Sequence, residues 1–156
     1  MELGLPDIIA LLAGRRADLL VDGVVRCEPG VVIETRKAVS GQEPCFLRLP
    51  LDSPAAAYAY PEPLLLESFA QSACLLWACT TDRADLPQVA GVRGATFHRP
   101  VRPGCVLRTV AKLVPGTAAT MFFCGRTSLV DGPLVMTVDN LVLTVRPPGA
   151  VLRAHE

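Results

Sequence analysis

An apolar stretch near the middle of the chain, residues 64–81, is the feature that most constrains the fold. Its periodicity predicts an α-helix, and Pro63 suits the first turn because a missing N–H costs nothing there. At about 100° per residue the polar side chains share an arc of roughly 140°. They are those of Glu67, Ser68, Gln71 and Ser72. A helix that is apolar nearly all round is a buried helix, so other elements must surround it.

The segments on both sides of this helix have the composition of β-strands. A short helix at 6–13 and two β-rich runs precede it, and four more β-rich runs follow at 88–97, 106–114, 120–130 and 134–145. The first two runs lie at 19–26 and 31–39, and a proline-rich irregular segment at 40–63 leads into the helix. Strands on both sides of a single apolar helix predict an α+β fold with an antiparallel sheet wrapped around the helix.

The length and composition indicate one folded domain. The 156 residues are 51% hydrophobic and 19% charged, which excludes an intrinsically disordered chain. We expect a single domain over residues 1–146 and a frayed tail at 147–156. Fifteen basic residues balance fifteen acidic ones, and this neutral charge argues against a nucleic-acid partner.

The cysteines, the histidines and the first residues of the chain bear on location and cofactors. Six cysteines occur without a C-x-x-C pair and only two histidines are present, so we expect neither a metal nor another cofactor. Glu2 and Asp7 interrupt the start of the chain, which does not resemble a signal peptide. The longest apolar stretch carries Glu67 and Gln71 and is shorter than a bilayer span, so no membrane association is expected. These features predict a cytoplasmic protein with reduced thiols.

Four motifs, in the same order, resemble the 3-hydroxyacyl-(acyl carrier protein) dehydratase family. Residues 8–24 (IIALLAGRRADLLVDGV) are similar to the family's opening helix and LLVD strand, and residues 42–46 (QEPCF) to its N-E-P-F-F. Residues 61–71 (PEPLLLESFAQ) resemble P-G-V-L-x-x-E-x-x-A-Q, and residues 97–104 (FHRPVRPG) resemble F-x-R-P-V-x-P-G. The resemblance spans about residues 8–145 and implies the hotdog fold, an antiparallel sheet wrapped around one long central helix.

The resemblance also implies a chemistry and a set of partners. Members of the family convert a 3-hydroxyacyl thioester on acyl carrier protein to the trans-2-enoyl thioester, in fatty-acid or polyketide biosynthesis. A histidine takes the C2 proton, a carboxylate serves the departing 3-hydroxyl, and a backbone N–H at the helix start holds the thioester carbonyl. The site lies at a dimer interface, with the histidine from one protomer and the carboxylate from the other.

Two residues of the predicted helix match the family's site. Glu67 occupies the position of the carboxylate, and we expect it to be catalytic. Gln71 lies one turn further along the same face. It either orients Glu67 or a site water, or is a buried amide satisfied by backbone groups. The other candidate substrate-binding residues are Tyr60, Glu62, Pro63 and Arg48.

The loop that carries the family's histidine is different in this chain. The family has G-H-F-P-G, whereas residues 47–51 read LRLPL. Depending on the alignment, Leu49 or Arg48 takes the position of the histidine, and neither side chain acts as a base near neutral pH. Glu62 also replaces the glycine at the helix start, which places a negative charge where the thioester oxygen would approach.

These departures leave three functional hypotheses. In the first, the chain is a dehydratase subunit that completes a heteromeric enzyme with a histidine-bearing paralogue. In the second, the chain is an active lyase or isomerase that uses another base, such as Glu62, Glu67 or a tyrosine. In the third, it is a non-catalytic module that binds acyl thioesters or the carrier protein. The partner chain is either the histidine-bearing paralogue, in a heterodimer, or a second copy of this chain, in a homodimer.

Overall fold

The computed structural model describes residues 1–12, 18–81, 87–116 and 120–145, and in this part of the chain one antiparallel sheet surrounds a long helix. The elements in chain order are α1 (Leu5–Leu11), β1 (Gly23–Glu28), β2 (Val32–Ala38), a 3₁₀ turn (Ala55–Tyr58), α2 (Glu62–Thr80), β3 (Gln88–Phe97), β4 (Val106–Val114), β5 (Thr120–Leu129) and β6 (Leu134–Thr144). Neighbouring strands follow the order β1-β2-β4-β5-β6-β3, and every pair is antiparallel.

The central helix α2 is buried, as its apolar composition predicts. Leu65, Phe69, Leu76 and Trp77 are each at most 3% exposed, which confirms the prediction that these side chains face the core. The helix packs mainly against β2 and β4, in the middle of the sheet, where Ile33 and other side chains alternate between core and solvent. Burial of large side chains at about 25 cal/mol per Å² is the main force that holds helix and sheet together.

The polar arc of α2 is also buried, and its side chains hydrogen-bond to other parts of the fold. The Ser72 hydroxyl lies 2.8 Å from that of Thr35 in β2, and the Ser68 hydroxyl donates to the Leu20 carbonyl oxygen at 2.8 Å. Buried polar groups are stable only when they are hydrogen-bonded, and these partners meet that requirement. The arc therefore orients α2 about its axis, because only one rotation satisfies all of its polar groups.

The observed bounds differ from the predicted ones at two places that matter for the site. The strand expected at 19–26 begins only at Gly23, because the backbone of Leu20 bonds to side chains of α2 instead of a neighbouring strand. Helix α2 begins at Glu62, with Pro61 as its N-cap and Pro63 as its second residue. The strands β3 and β4 have the predicted bounds. The predicted tail at 147–156 lies outside the described residues.

Two further observations concern membranes and thiols. None of the described helices combines the length and the hydrophobicity required to cross a lipid bilayer. All six cysteines are free thiols, and two of them, Cys27 and Cys74, are buried. Burial and the neighbouring Cys79 thiol raise the pKa of Cys27 to about 12, so Cys27 is a protonated core residue at neutral pH.

Candidate active site

Glu67 lines a cavity of about 470 Å³ that lies between α2 and two irregular segments. One segment precedes β1 and the other follows β2. The lining residues are Asp18, Leu19, Leu20, Glu43, Pro44, Cys45, Leu64 and Glu67. The wall is mainly apolar with a few carboxylates, a composition typical of pockets that bind a small organic group and fix its orientation. No histidine is among these lining residues.

Gln71 holds the Glu67 carboxylate in place. Its side-chain N–H groups donate to Glu67 Oε1 at 3.1 Å and to the Asp18 carbonyl oxygen at 2.8 Å, and its Oε1 accepts from the Leu20 N–H at 2.8 Å. The two interpretations of Gln71 made from the sequence therefore describe one geometry, a buried amide that bonds to backbone groups and also contacts Glu67. Because both the amide nitrogen and the amide oxygen of Gln71 are hydrogen-bonded to the backbone, Gln71 restricts the positions available to the Glu67 carboxylate.

A second carboxylate of the cavity, Glu43, is paired with a lysine. Lys37 Nζ lies 2.7 Å from Glu43 Oε1 and also donates to the Ala38 carbonyl oxygen at 3.0 Å. The Lys37 side chain is only 7% exposed and that of Glu43 is 12% exposed, so the pair is shielded from solvent. Breaking such a pair leaves an uncompensated buried charge, and this gives Glu43 a structural role in the wall.

Cys45 places a thiol in the same cavity as Glu67. Its half-buried position and the charge of Glu43 raise the pKa of the Cys45 thiol. A raised pKa keeps the thiol protonated near neutral pH, and only the thiolate is a strong nucleophile. Cys45 therefore contributes shape and apolar surface to the cavity.

A smaller cavity of about 300 Å³ lies beside the first turn of α2, and it contains the other sequence-predicted residues Glu62 and Tyr60. Its lining residues are Ala59, Tyr60, Glu62, Leu65, Phe97, His98, Arg99 and Pro100. Glu62 is exposed, and His98 Nε2 is 3.2 Å from the Thr137 hydroxyl. A carboxylate and an imidazole therefore line one cavity. Neither residue lines the cavity of Glu67.

Tyr60 is buried and lines the smaller cavity. Its ring packs near Phe46, with the ring centroids 6.3 Å apart, and its N–H donates to the Val101 carbonyl oxygen at 2.7 Å. The hydroxyl has no hydrogen-bond partner among the described residues, and burial together with the charge of Glu43 raises its pKa. The Tyr60 hydroxyl is thus a neutral group at physiological pH.

The remaining sequence-predicted residues do not line the cavity of Glu67. Pro63 is exposed in the first turn of α2, and Arg48 is exposed in a turn of the loop after β2. Leu49, the alternative position for the family's histidine, is half-buried and packs against the core. Over the described ranges, no three histidine, cysteine, aspartate or glutamate side chains are grouped so as to hold a metal ion.

Of the eight lining residues, only Glu67 was predicted from the sequence as a site residue. Cys45 lies in the motif at 42–46, and its neighbour Glu43 has the same signal, so the resemblance contained the information needed to place both. Asp18 belongs to the cavity through its position before β1. The contact of its carbonyl with Gln71 joins residues 53 positions apart, and no local pattern predicts it.

Comparison with known proteins identifies the family. The chain is 35% identical over 145 residues to the 3-hydroxyacyl-[acyl-carrier-protein] dehydratase FabZ of Polynucleobacter asymbioticus. The aligned region covers 92% of this chain and 93% of that protein. The chain belongs to the FabZ dehydratase family. A second FabZ, from Chloroflexus aggregans, is 38% identical over 112 residues and covers 71% of this chain and 75% of its own. No family model matches the chain.

Solved structures show that this FabZ-family chain has the hotdog fold, as predicted. A structure of the dehydratase heterocomplex ApeI:P from Xenorhabdus doucetiae aligns with a TM-score of 0.71, at 18% identity, over 90% of this chain and 91% of that one. The E. coli PaaI protein from the phenylacetic acid degradation operon aligns with a TM-score of 0.61, at 10% identity, over 80% and 78%. At these identities the likeness concerns the fold.

Gln71 offers a direct test of the site's architecture. We expect Gln71→Leu to lower the free energy of unfolding by about 1–3 kcal/mol, because the Leu20 N–H and the Asp18 carbonyl lose their buried partner. Urea denaturation followed by circular dichroism measures the change. Gln42→Leu, on the exposed loop after β2, is the matched control and should change the unfolding free energy by less than about 0.5 kcal/mol. Equal losses in both variants would contradict the anchoring role of Gln71.

Proposed function

We propose that the chain is one subunit of a heteromeric 3-hydroxyacyl-thioester dehydratase and that Glu67 is its contribution to the active site. A family member with the histidine-bearing loop supplies the base. The enzyme acts in the cytoplasm on acyl groups carried by acyl carrier protein, in fatty-acid or polyketide biosynthesis. The observations that carry the proposal are the Glu67 carboxylate, held by Gln71 at the wall of a cavity, and the loop at 47–51, which has no histidine to offer to a second copy of the chain.

The proposed chemistry divides one elimination between two chains. The C2–H and C3–O bonds of the substrate break, the C2–C3 double bond forms, and the hydroxyl leaves as water. The partner's imidazole takes the C2 proton, and the Glu67 carboxyl group donates a proton to the departing hydroxyl. The apolar walls formed by Leu19, Leu20 and Leu64 suit the acyl carbons next to the reacting centre.

Two observations support a heteromer over a self-sufficient enzyme. Arginine and leucine stand at positions 48 and 49, and neither side chain is a base, so a second copy of this chain would bring no base to the cavity of Glu67. One of the solved structures with the same fold is itself described as a dehydratase heterocomplex, which provides a precedent for two-chain assembly in this fold.

Co-expression tests the assembly directly. We expect the tagged chain to co-purify with a G-H-F-P-G-bearing dehydratase from the same genome, in equal amounts by native mass spectrometry. Dehydration of a 3-hydroxyacyl-(acyl carrier protein) by the complex should exceed the activity of this chain alone. Absence of a complex with every such dehydratase of the genome would contradict the proposal.

A second candidate function is a lyase that needs no partner. The observation that favours it is the cavity at the start of α2, which a carboxylate, Glu62, and an imidazole, His98, both line. In that case the base lies in the cavity at the start of α2 and not in the cavity of Glu67. Activity of the isolated chain would then depend on His98 and Glu62.

A further inference from the structure

Two cysteine thiols meet where the C-terminal end of α2 contacts β1. Cys27 lies in β1 and is 3% exposed, whereas Cys79 lies in the last turn of α2 and is only partly buried. Both are free thiols, and a side-chain hydrogen bond joins them. Two free thiols in direct contact have the arrangement from which a reversible disulfide can form.

Hydrogen bonds of neighbouring residues hold the two cysteines at this junction. Thr80, which directly follows Cys79, accepts a hydrogen bond at Oγ1 from the Gly30 N–H at 2.8 Å, in the turn after β1. The Cys27 N–H donates to the Met1 carbonyl oxygen at 2.8 Å. Because helix and strand are already held together, only the two side chains and the last helical turn need to move for the sulfur atoms to bond.

The other cysteines occupy different parts of the fold. Cys74 lies five residues before Cys79 in α2, about 140° around the helix axis. Cys45, Cys105 and Cys124 lie outside both α2 and β1. The end of α2 therefore directs Cys79 to the cysteine of β1.

We propose that Cys27 and Cys79 form a reversible disulfide when the chain meets a hydroperoxide, and that this bond fastens the C-terminal end of α2 to β1. Cys79 reacts first because it is the more exposed of the two thiols. Its sulfur attacks one peroxide oxygen, the O–O bond breaks, and a sulfenic acid forms while the other oxygen leaves as water with the thiol proton. The Cys27 sulfur then attacks the Cys79 sulfur. The S–O bond breaks, the S–S bond forms, and a second water leaves with the Cys27 proton.

The burial of Cys27 supports this order of steps. Burial and the contact with Cys79 raise the pKa of the Cys27 thiol, so it stays protonated and does not compete for the peroxide. Its contact with Cys79 gives the second step a high effective concentration, which offsets the small thiolate fraction. A dithiol such as dithiothreitol reverses the reaction by thiol–disulfide exchange.

The disulfide should stabilise the chain without changing the cavity of Glu67. It closes a loop of about 50 residues, which restricts the unfolded chain and raises the melting temperature. Glu67 lies twelve residues before Cys79, about 18 Å away along α2. The oxidised and reduced chains should therefore differ in stability at one end of the helix and be alike at the other.

Peptide mapping of the folded wild-type chain tests the proposal. The chain is treated with hydrogen peroxide, alkylated and digested without reduction. We expect a Cys27–Cys79 peptide as the main cross-link, and a Tm about 5–10 °C above that of the dithiothreitol-treated chain. Cys79→Ser should abolish both effects. The matched control Cys124→Ser, at a partly buried cysteine of β5, should retain both.

The proposal is wrong if the folded wild-type chain keeps Cys27 reduced, whether Cys79 is oxidised to an acid, pairs with another cysteine or stays free. It is equally wrong if the cross-link forms only in urea, or if a cross-linked chain melts at the same temperature as the reduced one. None of these measurements uses substrate or a partner chain. A failure of the proposed function would therefore leave them unaffected.

Discussion

In the assembled complex, we expect Glu67→Gln to lower the rate of dehydration by about 10²–10⁴-fold, the usual cost of removing a general acid or base. Glutamine has the shape of glutamate and still accepts the hydrogen bond from Gln71, so fold and assembly should be preserved. It has no proton of suitable acidity for the departing hydroxyl. The rate of enoyl-thioester formation by the complex, measured with saturating substrate, tests this expectation.

The matched control for this variant is Glu28→Gln at the end of β1. Glu28 is an exposed residue paired with Arg26 at the surface, and its replacement should leave turnover unchanged because surface pairs contribute little. Unchanged turnover in a Glu67→Gln complex that still assembles would eliminate a shared active site. The chain would then act as a scaffold for a partner that uses its own carboxylate.

The purified chain alone should dehydrate 3-hydroxyacyl thioesters about 10²–10⁴-fold more slowly than a histidine-bearing relative. Loss of the base that abstracts the C2 proton accounts for a factor of this size. Leucine has no exchangeable side-chain proton and an arginine guanidinium does not serve as a base, so neither Leu49 nor Arg48 replaces the histidine. The ultraviolet absorbance of the enoyl thioester provides the assay.

Turnover by the isolated chain at a rate comparable with a histidine-bearing relative would contradict this expectation and support the partner-free lyase. His98→Gln and Glu62→Gln would then identify the base, because these two side chains line the same cavity. If His98 acts as the base, its variant should lose activity while Gln71→Leu retains some. A contaminating dehydratase is excluded if the loss of activity depends on the substitution and is the same in independent preparations of each variant.

Much of the fold was predictable because it rests on local periodicity. The burial of Phe69 and Trp77 follows from a helix with apolar residues on nearly every side, and β3 and β4 follow from β-rich runs bounded by turn residues. Residues 19–22 were predicted to be strand because their composition is β-rich. The structure pairs Leu20 with side chains of α2, and a contact between residues about 50 positions apart has no local signal.

The candidate site, like the fold, was predictable where it depends on local spacing along the chain and not where it depends on distant contacts. The contact of Glu67 with Gln71 follows from their four-residue spacing on a helix, which brings two side chains to one face. The position of Cys45 in the same cavity depends on the path of an irregular loop, and composition does not determine that path. Tyr60 and Glu62 are close to Glu67 in sequence, but Tyr60 precedes α2 and Glu62 lies about 140° around the helix from Glu67, and both line the smaller cavity.

The hydrogen bonds from Ser68 and Gln71 to the segment before β1 have a consequence for the evolution of such chains. These two side chains hold Leu20 against the helix, so selection for folding alone preserves them in a relative that no longer turns over substrate. The helix motif therefore has a structural role in this chain that is independent of catalysis. Similarity in this helix therefore indicates common ancestry. The loop at 47–51 indicates catalytic competence, because that loop carries the family's histidine.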